Sequence, residues 1–218
     1  MMSKQKFLLR YTNLASLFEI LLNKRICLLD PDKWEDRNDS YYIQVYKGEY
    51  SFESVLAICF AETNETFHHW KVFSGNISGV CIEFDKGKLL NDFKNVSIPK
   101  DAKMIIRKVK YPKINHLKAN PPKAWQLPFI KRHPYRDEKE LRVIYSDKVN
   151  KMASNPISIN LSCINQVLLS PLVPDALMDS LKIVINGIKN CDNIRVIRST
   201  LIDNEKWKNI ATDLQPSN

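Results

Sequence analysis

Glycine is scarce, with five residues in 218, and none belongs to a glycine-rich phosphate loop or a nucleophile elbow. No run approaches eighteen uncharged apolar residues, so a membrane-spanning helix is not expected. Residues 1–6 lead into a strand-like segment rather than the apolar core of a signal peptide, which points to a cytoplasmic protein. Cysteines 27, 59, 81, 163 and 191 are odd in number and widely spaced, and no CxxC pair suggests zinc. Four of them lie in apolar runs, as in Ile26-Cys27-Leu28-Leu29, and read as buried free thiols; no metal site is expected. Repeats and low-complexity linkers are absent, so 1–218 reads as a single domain with a disordered tail at 212–218.

Charge, by contrast, is present and unevenly placed. Between Lys100 and Arg136 eleven Lys or Arg stand against the lone Asp101, a local charge of +10 in a chain whose total is +9. Such a segment is either a solvated face that aids solubility or the seat of an anionic ligand, a nucleotide or a nucleic acid.

Strand and helix signals alternate along the chain. Phe7 to Tyr11 predicts a strand, and Asn13 caps a helix through Asn23 with Leu14, Leu17, Phe18, Leu21 and Leu22 on one face. Further strands are predicted at Arg25 to Leu29, Ser54 to Phe60, Gly79 to Phe84, Met104 to Tyr111, Lys139 to Tyr145, Ile157 to Leu161, Gln166 to Leu169 and Ile194 to Arg198. Helices are expected at Glu65 to Phe73 and from Pro174 to about Lys189. Asp30 to Asp39 reads as an ordered loop, and Pro121 to Arg132 as a loop with a short helix. Strands outnumber crossover helices, so the fold class is α+β, with a split, mainly antiparallel sheet flanked by helices.

Four patches carry a family likeness: Leu9-Arg10-Tyr11-Thr12; Asp32-Lys33-Trp34-Glu35-Asp36; Cys59-Phe60-Ala61-Glu62 with Trp70 and Gly79-Val80-Cys81-Ile82-Glu83-Phe84-Asp85; and Phe129-Ile130-Lys131-Arg132 running into Glu138-Lys139-Glu140-Leu141-Arg142. In this order they resemble the bacterial family catalogued as domain of unknown function 2971, itself similar in layout to ADP-ribosyltransferases, with relatives that look like toxins or phage-defence proteins. The resemblance implies NAD as substrate, Arg10 on the nicotinamide ribose and Glu140 on the reacting bond. Its usual hydroxyl after Cys59-Phe60 is replaced by Ala61, with Thr63 two residues on.

Cleaving the bond between nicotinamide and ribose passes through an oxocarbenium-like state, which a nearby carboxylate stabilises. Glu138 and Glu140, spaced two apart on a predicted strand, would share a face and act together, one on the donor ribose and one on the acceptor. The catalytic set is therefore Glu140, Glu138 and Arg10. The NAD-binding set is Arg10, Tyr11, Thr12, Trp34, Asp36, Trp70 and Arg142. Lys108, Lys110, Lys113, Lys131 and Arg132 would meet an anionic acceptor such as RNA or DNA, and an antitoxin protein is an implied partner. Each has a plainer reading: Glu-Lys-Glu-Leu-Arg by itself is a solvated edge strand, and tryptophans more often pack than stack on ligands. His68-His69 is not a metal pair, since adjacent helical residues face different ways. Two other readings stay open. Asp32 with Asp137, Glu138 and Lys139 imitates a metal-dependent nuclease, and the basic segment could serve a non-catalytic nucleic-acid-binding module.

Overall fold

The computed structural model describes residues 5–212. Asn13 does cap the first helix, its Oδ1 accepting from the Ser16 N–H at 2.9 Å. That helix, α1 (Leu14–Asn23), buries Leu17, Ile20 and Leu21. Leu22, expected on the buried face, is instead 62% exposed.

The strands are β1 (Phe7–Asn13), β2 (Arg25–Leu29), β3 (Ser54–Ala61), β4 (Gly79–Asp85), β5 (Ala102–Lys108), β6 (Glu140–Asp147), β7 (Ser154–Ser158), β8 (Ile164–Leu169) and β9 (Arg195–Arg198). They form one sheet in the order β5-β6-β3-β1-β4-β8-β9, with β2 and β7 branching from β3. All pairs are antiparallel except β8 with β9. The α+β class and the split sheet are thus as the sequence predicts.

The split lies along β3. On one side β3 pairs with β6 over its whole length. On the other it meets β1 at Leu9↔Ala61 and β2 at Leu29↔Ala57, and between these points the two neighbours diverge.

Period-two alternation sorts the strands between two layers. Leu56, Ile58 and Phe60 of β3, with Leu141 and Val143 of β6, join Leu17, Leu89 and Ile185 in the main core. The opposite face of β3 and β6 packs against α2 (Arg37–Glu49) through Ile43, Tyr46, Val55, Ala57 and Ile144. Beside it, α3 (Phe67–Phe73) lays Trp70 against Leu9, Tyr11 and Ala61.

Four of the described helices escape the sequence reading, two of them the short helices at Ile114–Ala119 and Glu205–Thr212. Helix α2 starts at the end of the supposed loop, where Asp36 caps it by accepting from the Asn38 N–H. Its buried stripe of Asp39, Ser40, Ile43 and Tyr46 is half polar, which hides the helical period. Helix α4 (Lys86–Lys94) follows β4 directly, with Asp85 as cap and only Leu89 and Phe93 buried. The remaining helices are α5 (Ile114–Ala119), α6 (Asp175–Asn186) and α7 (Glu205–Thr212). Of the expected tail, only Thr212 is among the described residues, and it ends α7. Residues 1–4, part of the expected leaderless start, also lie outside them.

The described cysteines are unpaired: Cys81, Cys163 and Cys191 are buried, Cys27 and Cys59 partly so. No described helix is long and apolar enough to cross a membrane.

Candidate active site

A cavity of about 530 Å³ opens where the sheet splits, walled by β1, β3 and β6, by α2 and α3, and by the chain between 131 and 140. Arg10, Glu138, Glu140 and Arg142 all line it, as do Tyr11, Trp34, Asp36, Asp39, Cys59, His69, Lys131 and Tyr135.

Arg142 is fully buried, and every one of its five N–H groups is engaged. Nε donates to Glu140 Oε1 at 2.6 Å and Nη2 to Glu140 Oε2 at 3.0 Å. Nη1 and Nη2 donate to the two oxygens of Asp39 at 2.8 and 2.7 Å, and Nη1 also reaches the Pro128 carbonyl at 2.9 Å. The Trp34 ring covers the guanidinium, its centroid 4.9 Å away. Arg142, expected to contact NAD, therefore has no free donor for a ligand; it holds two carboxylates in place.

Beside this group, Lys131 Nζ lies 2.8 Å from Glu138 Oε2 and 3.9 Å from Asp39 Oδ2, with the Tyr135 ring beneath it. Asp39, Glu138 and Glu140 against Lys131 and Arg142 give a network with a formal charge of −1, almost withdrawn from solvent. Burial would raise the Glu140 pKa, but the charge and hydrogen bonds of Arg142 outweigh it and hold this carboxyl below its ordinary range. Glu138 goes the other way, because burial outweighs Lys131 and pushes it up. Burial also lowers His69, and it raises the Cys59 thiol well above its usual value, so that thiol stays neutral.

Across the split sits Arg10. Its Nη1 donates to the Cys59 carbonyl at 3.2 Å, its buried Nε has no partner, and it forms no ion pair among the described residues. Tyr11 stacks on His69 at 5.2 Å and meets Trp70 edge-on, and its buried hydroxyl is also without a partner.

Several expected positions fall differently. Glu138 is not on β6 but ends a 3-10 turn (His133–Glu138). Lys139 then takes a left-handed conformation, φ 44° and ψ 51°, so this one residue, not strand alternation, brings both carboxyls to the cavity. Trp70 is buried under Tyr11, its Nε1 donating to Glu65 at 2.5 Å, and does not reach the cavity. Thr12 lines a separate recess with Asn13, Ser74 and Asn76, so the N-terminus of α1 is not at the main cavity either.

Of the five expected acceptor-side cations, Lys131 is inside the cavity rather than on a basic surface, and Lys108 is paired with Glu62 at 2.5 Å. Lys110, Lys113 and Arg132 are exposed. Asp32 accepts from Gln44 and is not in the cavity with Glu138, which parts the acids of the nuclease pattern. Among the described residues no three His, Cys, Asp or Glu gather in a way that could hold a metal.

Among the cavity residues that the sequence reading did not assign are Glu35, Asp39, Cys59, His69 and Tyr135. Asp39 follows the Asp36 cap by three residues, a signal that was available; His69 carries none beyond its place on a helix.

No family model matches this chain. No curated protein matches it either. The motif likeness to the domain of unknown function therefore rests on the residues quoted above alone. Solved structures of similar layout include DarT of Thermus sp. 2.9 in three complexes. That with ADP-ribosylated ssDNA has a TM-score of 0.45 at 9% identity, over 89% of this chain and 94% of that one. That with NAD+ has 0.46 at 7%, over 91% and 98%. The complex with carba-NAD+ has 0.42 at 9%, over 90% and 96%.

Proposed function

We propose that the cavity cleaves NAD and transfers ADP-ribose to an anionic macromolecular acceptor. One observation carries this reading: the cavity has an unpaired cation on one wall and a buried network of net negative charge on the other. Oxidised NAD matches both, since it bears a negative pyrophosphate and a positive pyridinium ribosyl end. Arg10, which the resemblance places on the nicotinamide ribose, is assigned here to the pyrophosphate, the anion its unpartnered Nε suits, and Glu140 faces the ribose. The two strands are separated only by β3, on the order of 10 Å for two inter-strand spacings.

The glycosidic C–N bond breaks with its electron pair passing to nicotinamide, which leaves neutral. Positive charge then grows on the ribose beside Glu140, whose carboxylate Arg142 keeps ionised and oriented. An acceptor oxygen or nitrogen bonds to the anomeric carbon and gives its proton to Glu138, whose affinity for protons burial raises.

The acceptor is taken to be a nucleic acid because the basic segment continues into the site. Lys131 N–H donates to the Lys110 carbonyl at 2.9 Å, so exposed Lys110 adjoins the segment whose ammonium enters the cavity. A role as toxin or antiviral-defence effector, with an antitoxin to restrain it, completes the proposal.

The test is incubation with labelled NAD and a cell lysate, followed by separate protease and nuclease digestion. Nicotinamide release with label freed by nuclease supports the reading. Thermal stabilisation by magnesium but not by NAD would favour the nuclease.

A further inference from the structure

Resting on that reading, we infer that Asp39 is a positioning residue that keeps the negative charge of Glu140 available to the cavity by sharing Arg142. A buried guanidinium facing Glu140 alone would form a neutral pair, and much of the carboxylate's field would be spent on its partner. Asp39 prevents this. Its two oxygens take Nη1 and Nη2 at 2.8 and 2.7 Å, a fork as close as the one Glu140 makes through Nε and Nη2. The trio Asp39, Arg142 and Glu140 then carries a formal −1, which is what an adjacent developing cation requires.

The fold sets Asp39 for this. It lies in the first turn of α2, where the helix N-terminus favours an anion, and it is 3% exposed. A residue needed only to neutralise Arg142 would be redundant, because Glu140 already does so.

Glu140 is met by Arg142 on its own strand, Cys59 from β3 and Lys131 from the preceding segment; Asp39 from α2, which shares Nη2 of Arg142 with it, and Glu138 line the same cavity. Tyr111, whose hydroxyl accepts from the Glu140 N–H at 2.9 Å, and Arg10 across the split complete the set. Removing a negative charge from this set draws Glu140 closer to Arg142 and makes it harder to protonate. Removing a positive charge does the opposite.

The experiment compares wild type, Asp39→Asn and Lys131→Gln. In Asp39→Asn, nicotinamide release slows by about tenfold or more at saturating NAD, and the acid limb of its pH profile moves down by roughly one unit. The affinity for NAD measured by calorimetry stays within about twofold, because Asp39 acts through Arg142. In Lys131→Gln the limb moves up. A folded Asp39→Asn with unchanged turnover and an unmoved limb overturns the inference.

If Asp39→Asn does not fold, Asp39→Glu, which keeps the charge on α2, decides it: a limb at the wild-type pH with turnover retained supports the inference, and a limb that moves down with the charge kept overturns it. If the wild type releases no nicotinamide, the NAD reading fails by itself. The inference is then read by carbon NMR titration of glutamate-labelled protein: a Glu140 carboxyl that titrates lower in Asp39→Asn supports it, and one that titrates at the wild-type pH overturns it.

Discussion

Arg10 reaches from β1 to the backbone of Cys59 on β3, its Nη1 3.2 Å from the carbonyl oxygen, in the gap where β1 and β2 part. That single neutral acceptor is the only hydrogen-bond partner of the guanidinium among the described residues. A half-buried cation so poorly compensated, its Nε buried without a partner, costs stability and is suited to an anionic ligand.

Arg10→Met should therefore separate binding from stability. Calorimetry should show NAD affinity falling by roughly ten- to a hundredfold, the loss of a hydrogen bond to a charged group. The thermal midpoint should stay level or rise, since a desolvated charge is replaced by an apolar chain of similar length. Equal affinity in the variant would remove Arg10 from the site.

Glu140→Gln should lower the rate of nicotinamide release by about a hundredfold or more with NAD affinity little changed, because the amide keeps the shape and loses the charge. Circular dichroism should match wild type, Asp39 still neutralising Arg142. Undiminished turnover would end the assignment of Glu140.

Acid should unfold the protein partly through this same group. The Glu140 carboxyl sits below its ordinary range in the folded protein, despite burial, because of Arg142. A depressed carboxyl adds stability that is fully present above its unfolded pKa of about 4.3 and is lost as pH falls through the lower folded value. Urea midpoints measured from pH 7 down to pH 3 should fall less steeply in Glu140→Gln below about pH 4.5. Parallel curves would contradict the ion pair.

The basic surface is testable apart from catalysis. Lys110, Lys113 and Arg132 are exposed, whereas Lys108 is committed to Glu62. Changing the three exposed cations to Gln should flatten the slope of log affinity for single-stranded nucleic acid against log salt by roughly two units, at about 0.7 per contact. Nicotinamide release without acceptor should be unaltered. An unchanged slope would make the segment a solvated face and favour a protein acceptor.

The sequence determined the elements that local rules can see. Apolar runs fixed β3, β4 and β6, Asn13 fixed the start of α1, and the excess of strands over helices fixed the α+β class. Glu140 and Arg10 were legible as candidates through the motif resemblance, since Glu-Lys-Glu-Leu-Arg by itself reads as a solvated edge strand. Local rules failed where the buried surface is polar. Helix α2 was missed because Asp39 and Ser40 occupy its inner face, and with it went the partner of Arg142.

Only the tertiary structure decided that these residues meet. By alternation Arg10 shares the face of Leu8, while Leu9 pairs with Ala61 and Ala61 with Glu140, so in a continuous sheet Arg10 and Glu140 would lie on opposite faces. They line one cavity because β3 parts β1 from β2 and opens the layer between them. Arg142 likewise needs two carboxylates, one from its own strand and one from a helix far away in the chain, because a buried guanidinium is stable only when its N–H groups are all satisfied. Strand periodicity carries no information about such long-range pairing.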